Sequence, residues 1–277
     1  VSMDEVTAKR LVEFLSQERL EALVKRTDDT SRAIELHQEI LALGCELMKV
    51  IAIVEIALRN TVVANLTRHF GAGDWLQRSP GNFSWRKYEV DSIDRAMKNA
   101  RRAAYAKLSQ AEKAKLDMEA FPDRPREGTP HIERVKARQA RIAVSDGQVV
   151  AELSLGFWKG LFGRKYEHGL WGPTLKRTFP NRAVTRSAVA SQLEAIYQAR
   201  NRLAHHEPVL HKRFRETVGA IEFVARELDA RREEDVAPLT LLLRDDLELV
   251  TRSGNELSRQ LHSGSRPKEE GGRPVGG

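Results

Sequence analysis

A single cysteine, Cys45, stands in a chain of 277 residues. No disulfide can form within the chain, and no zinc cluster can be built on cysteine. Aromatic residues make up only 6%. Short β-branched runs bounded by turn residues are nearly absent, which argues against a β-sandwich or barrel. Apolar runs are short too. The longest, around residues 50–58, is interrupted by Glu55, followed by Arg59, and far below the roughly 20 residues that span a bilayer. The first residues carry acids and bases at helical spacing, with no apolar stretch of the kind a secretory signal needs. Together these absences predict a reducing, cytoplasmic compartment and no membrane partner.

What the chain does contain is charge. Charged residues make up 31% and hydrophobic residues 41%, a helix-leaning composition with enough apolar material for a real core. The formal net charge is +7 and the isoelectric point about 9.6. Such an excess favours polyanionic partners, and nucleic acid is the commonest of these in the cytoplasm.

Apolar periodicity predicts an all-α fold. A first helix is expected over 4–25, with Leu11, Phe14, Leu15, Leu20 and Leu23 on its inner side. The polar segment 27–31 supplies N-cap candidates for a second, unusually long helix over 31–70, which the glycine cluster Gly71-Ala72-Gly73 ends. A charged third helix is expected over 85–116, then a loop rich in proline around 121–130. A basic helix over 132–142 and a more apolar one over 149–161 follow. Gly169, Gly172, Pro173 and Pro180 break 163–181 into short turns packed by Trp171 and Phe179. Further helices are expected over 186–206, 212–232 and 238–262. The organisation predicted is one helical domain over 1–262, with a basic helical insert at about 85–145 and a disordered tail over 263–277.

Two anomalies stand out. On the helix before Pro208, Val189, Leu193, Ile196 and Leu203 mark the inner stripe, and spacing asks for a core residue at position 200. Arg200 sits there, and a buried guanidinium is costly unless paired. The long second helix is apolar on nearly all sides from Val50 to Thr67, which predicts burial nearly all round. Within that span only Glu55 and Arg59 are charged, four residues apart with the acid first, so they can pair on one face. An active site assembled between helices fits this pattern, and so does a structural ion-pair network.

His205 adds an acid/base with a near-neutral pKa. Five residues rotate it by roughly 140° from Arg200 on an ideal helix. However, Glu207 precedes Pro208, which ends the helix near His205 and lets a histidine in the last turn swing. A second chain can also contribute the complementary group. The chemistry that suits an arginine beside such a histidine is RNA cleavage by the substrate's own 2′-hydroxyl. The histidine would serve as general base or acid, and the arginine would hold the scissile phosphate. No metal or other cofactor is required. The plainer reading is a helix end with His205 and His206 in solvent.

Arg200-Asn201-Arg202-Leu203-Ala204-His205 resembles the Arg-polar-x-x-x-His motif of HEPN ribonucleases. Three flanking segments follow in the order seen in the Abi-like (abortive infection) family. They are Glu152-Leu153-Ser154-Leu155-Gly156-Phe157-Trp158, the stretch from Leu170-Trp171 through Phe179-Pro180, and the motif with its continuation His206-Glu207-Pro208. Upstream, Glu55-Ile56-Ala57-Leu58-Arg59-Asn60 resembles that family's Glu-x-x-x-Arg-Asn signature. The resemblance covers most of 36–230. It implies an HEPN-like helical bundle with additional helices, usually a homodimer with its active site at the interface. It also implies endoribonuclease activity in phage defence or a toxin–antitoxin system, with an antitoxin or a phage-derived trigger as possible partners. Arg200, Asn201 and His205 map onto the catalytic motif. Glu55, Arg59, Asn60 and His206 take supporting places.

Other candidates carry less. Arg95, Lys98 and Arg102 share one face of the third helix and, with Arg134, Lys136, Arg138 and Arg141, could track an RNA backbone. Asp91, Asp94 and Glu112 dilute that patch. His205, His206, Glu207 and His211 lack the spacing of a helical zinc pair, so no metal is expected. The apolar neighbours of Cys45 argue against a nucleophile. The leading expectation is therefore a metal-independent endoribonuclease. The alternatives are a non-enzymatic HEPN module that binds RNA or a protein partner, and a helical scaffold in which Arg200 completes an ion-pair network.

Overall fold

A computed structural model describes residues 4–71, 73–81, 83–123, 128–228, 230 and 237–263. The tail beyond Ser263, the centre of the proline-rich loop at 124–127, and Ala72 of the glycine cluster lie outside these. Among the described residues the fold is all-α. Its helices are α1 (Glu5–Leu15), α2 (Gln17–Thr27), α3 (Thr30–Phe70), α4 (Lys87–Ala106), α5 (Gln110–Ala120), α6 (His131–Ala140), α7 (Asp146–Glu152), α8 (Leu155–Gly160), α9 (Arg186–Ala204), α10 (His211–Glu227) and α11 (Pro238–Ser263). The glycine-broken stretch forms short turns, with 3₁₀ geometry at Arg164–Tyr166 and Leu175–Thr178 and π geometry at Glu167–Trp171. Among the described residues no helix is long and apolar enough to cross a membrane.

Three expected helices are each split in two, and each split has a local cause. The first breaks at Ser16, whose φ of 74° no helix accommodates. The break lets Ala8 of α1 and Leu20 of α2 both bury against Ile34, with Leu11, Val12, Leu15, Leu23 and Val24 packed around them. Phe14, expected inside, is 78% exposed. The third breaks before Ser109, which opens α5 with a capping box. The Ser109 hydroxyl accepts from the Glu112 amide, and the Glu112 carboxylate accepts from the Ser109 amide at 2.7 Å. The apolar helix over 149–161 divides at Leu153 and Ser154 into α7 and α8.

Contacts divide the chain into two compact units, Val1–Ala57 with Asn181–Ala183 and Ser191–Gly277, and Leu58–Pro180 with Val184–Ala190. In the first, α10 packs on α11 through Phe214, Val218, Ile221 and Val224 and through Leu243, Val250 and Leu257, all buried. Gly254 of α11 lies so close to Phe214 that a Cβ there would stand 2.2 Å from the ring. Arg26 donates to the Leu261 carbonyl, and Lys49 pairs with Asp246 at 2.7 Å. In the second unit α4 packs on α6 and α7. An aromatic cluster links Phe70, Trp75, Phe83, Trp85, Phe157 and Tyr166. Of these, Trp75, Trp85, Phe157 and Tyr166 are buried; fully burying a side chain the size of Phe stabilises by about 1.5–3 kcal/mol relative to leaving it exposed.

Helix α3 starts where the polar segment predicted. The Asp29 carboxylate accepts from the Ser31 amide at 2.8 Å, and Gly71, at φ 68°, accommodates the exit. Its second half differs from expectation. Ala52, Ile56, Asn60 and Ala64, each four residues on, are exposed, so one full stripe is uncovered. The opposite stripe, Val50, Val54, Leu58 and Val62, is wholly buried. Apolar composition on all sides therefore did not mean burial on all sides.

Candidate functional site

Helix α9 buries Val189, Leu193, Ile196 and Ala199 completely. Ala199, three residues past Ile196, takes the core position that spacing alone had given to residue 200. Arg200 is displaced to the border of the stripe, half-buried, as is Asn201. Among the described residues no hydrogen bond or ion pair holds the Arg200 guanidinium. The ion-pair-network reading therefore finds no partner at the residue on which it rested.

The helix ends as the proline required, with a specific cap. The His206 amide donates to the Leu203 carbonyl at 3.0 Å and the Glu207 amide to the Arg202 carbonyl at 2.8 Å. These are the two bonds of a Schellman motif. Its left-handed position, normally glycine, is His206 at φ 56°. Arg202 closes the turn from outside. Its Nη1 meets Glu207 Oε2 at 2.9 Å and its Nε donates to the Pro208 carbonyl at 3.3 Å. His205 is exposed at the last turn, with its amide donating to the Arg202 carbonyl at 3.0 Å.

Beside this helix end the first unit holds a cleft of about 390 Å³. One wall is α3, through Ile40, Leu41, Gly44, Cys45 and Met48; the other is Leu203, Ala204, His206, Glu207 and Pro208. Of the two adjacent histidines, it is His206 that lines it. Cys45, expected among apolar neighbours, is exposed. A Cβ on Gly44 would come within 3.2 Å of Leu203, so the glycine lets the motif helix approach α3 closely.

The supporting residues are placed differently. Glu55 is half-buried on α3 within the first unit. Arg59 and Asn60 belong to the second unit; Arg59 is half-buried, its Nε enclosed without a hydrogen-bond partner, and Asn60 is exposed. In the second unit Arg95, Lys98 and Arg102 are all exposed on α4, opposite its buried stripe, and among the described residues none is paired. Nearby, Lys87 takes up Asp91 at 3.3 Å. Arg134 and Arg138 of α6 are committed elsewhere, since both grip Asp117 of α5, Arg138 at 2.7 Å. Their hydrogen bonds, that of Arg138 first, hold the Asp117 carboxyl below its usual range. Of the basic residues on α4 and α6 singled out in the sequence, those without an ion pair among the described residues are thus Arg95, Lys98 and Arg102 with Lys136 and Arg141. His211 sets its ring against His262 at 5.6 Å. Among the described residues no three metal-ligating side chains come together.

One cluster escaped the sequence reading. Glu89 is fully buried on α4, with its Oε2 accepting from the Tyr166 hydroxyl and its Oε1 from Lys165, both at 2.7 Å. The Tyr166 oxygen in turn accepts from the Arg86 amide at 3.1 Å. Burial, reinforced by Glu89, pushes the Tyr166 phenol well above its ordinary value. The signal was available. Glu89 opens the stripe Ile93, Ala96, Ala100, the same charge-in-a-core-position anomaly that drew attention to Arg200.

The chain matches no protein-family model, no curated protein and no solved structure.

Proposed function

We propose that the protein is a metal-independent endoribonuclease of the HEPN type, cytoplasmic and acting in phage defence or growth arrest. The observation that carries this reading is Arg200. It is a half-buried guanidinium with no acceptor among the described residues, five positions before an exposed histidine on a helix end fixed by its own cap. An unpaired guanidinium presents a fork of donors matched to a phosphate. In the reaction the substrate's 2′-oxygen attacks the adjacent phosphorus and the 5′-oxygen leaves. The products are a 2′,3′-cyclic phosphate and a 5′-hydroxyl. Arg200 neutralises charge growing on the phosphoryl oxygens, with Asn201 beside it. His205 takes the 2′ proton or supplies the one that the leaving oxygen needs. A second copy of the chain provides the complementary group.

The test is incubation of total RNA with the purified chain in EDTA, beside Arg200→Ala and His205→Ala. Cleavage by the wild type should fall by about 10²–10⁴-fold in each variant, with helical content retained. Intact RNA in every lane sinks the proposal. A second reading, RNA binding without cleavage, draws on the exposed Arg95, Lys98 and Arg102 and is the outcome if RNA is retained but not cut.

A further inference from the structure

The cleft between α3 and the end of α9 has no role in the chemistry above, yet Ala204 and His206, the neighbours of His205 on either side, both line it. We infer that this cleft receives an unstacked purine base of the RNA strand, next to the scissile phosphate. The inference rests on the ribonuclease reading for its location and on the cleft itself for its chemistry.

The volume, about 390 Å³, falls within the range of small-ligand pockets, roughly 300–1,000 Å³. Leu41, Met48, Leu203 and Pro208 supply apolar surface for the two faces of a flat ring. His206 adds an aromatic ring to the lining, a residue type on which proteins stack splayed-out RNA bases. Glu207 supplies direction. Arg202 engages its Oε2, which leaves Oε1 as an acceptor with no hydrogen bond among the described residues. An acceptor among mostly apolar lining residues selects a base edge rich in donors, and guanine offers two neighbouring ones.

Cys45 makes the inference measurable. It lines the cleft, is exposed, and is the chain's sole cysteine. The rate at which iodoacetamide alkylates the full chain therefore reports whether the cleft is occupied. Guanosine 3′-monophosphate at roughly ten times its dissociation constant should slow alkylation about tenfold. Uridine 3′-monophosphate should slow it less, and ribose 5-phosphate should leave it unchanged. Ala204→Phe, which fills the cleft from an exposed helix position, should remove the nucleotide's effect. Leu41→Phe serves the same purpose if circular dichroism shows that the first variant has not folded. An unchanged rate with guanosine monophosphate, or equal slowing by ribose phosphate or uridine monophosphate, overturns the inference. Because the assay needs no turnover, protection without RNA cleavage would sink the ribonuclease reading alone. Cleavage without protection would sink the base cleft alone.

Discussion

His206 holds a backbone conformation that side chains with a Cβ resist. A left-handed residue costs roughly 1–2 kcal/mol, and glycine is the usual occupant of this place in a helix cap. His206→Gly relieves that strain while giving back some freedom to the unfolded chain, so a net gain of about 0.5–1 kcal/mol is expected. A urea-unfolding midpoint shifted upward at constant slope would bear this out; a lower midpoint would mean that the His206 ring contributes more than its backbone costs. Arg200 shows what spacing can and cannot resolve. A period of 3.6 residues allows either position 199 or 200 to continue the stripe from Ile196. The chain uses Ala199, which is buried completely, and sets the arginine at the edge. The core position that spacing had given to residue 200 belongs to Ala199, and Arg200 is half-buried at the border of the stripe.

Helix existence was legible throughout, because apolar periodicity survives whatever the tertiary packing does. Helix breaks were less so. Ser109 with Glu112 carried a readable cap signal, whereas the break at Ser16 has no side-chain cap bond and brings Ala8 and Leu20 together on Ile34 only in three dimensions. The cleft was invisible for a related reason: its walls are more than 150 residues apart in sequence, Gly44 meeting Leu203. The α10–α11 pair offers a direct test of how tightly elements are fitted. Gly254→Ala would place a methyl 2.2 Å from the Phe214 ring, and overpacking of this kind costs typically 1–3 kcal/mol. Denaturant unfolding should show that loss for the single variant and much of it recovered when Phe214→Leu is added. A single variant as stable as the wild type would mean that the two helices slide apart at little cost.

At the scale of the whole molecule, the charge excess of +7 acts on encounter with any polyanion, and ionic strength measures how. For single-stranded RNA each neutralised phosphate contributes about 0.7 to the slope of log affinity against log salt. Replacing Arg95, Lys98 and Arg102 together by alanine should therefore flatten that slope by about 2. An unchanged slope would remove α4 from the binding surface and leave the excess charge as a general solubilising field. In the proposed ribonuclease the capped end of α9 would act at a later stage of the same encounter. The backbone from Arg202 to Pro208 is already tied by two backbone hydrogen bonds, donated by the His206 and Glu207 amides, and by the Arg202 clasp. Ordering a loose segment costs about 1–2 kcal/mol of entropy per residue. A molecule arriving at His205 meets a stretch whose freedom was surrendered during folding, so nearly all of the attraction it finds there can be kept as affinity.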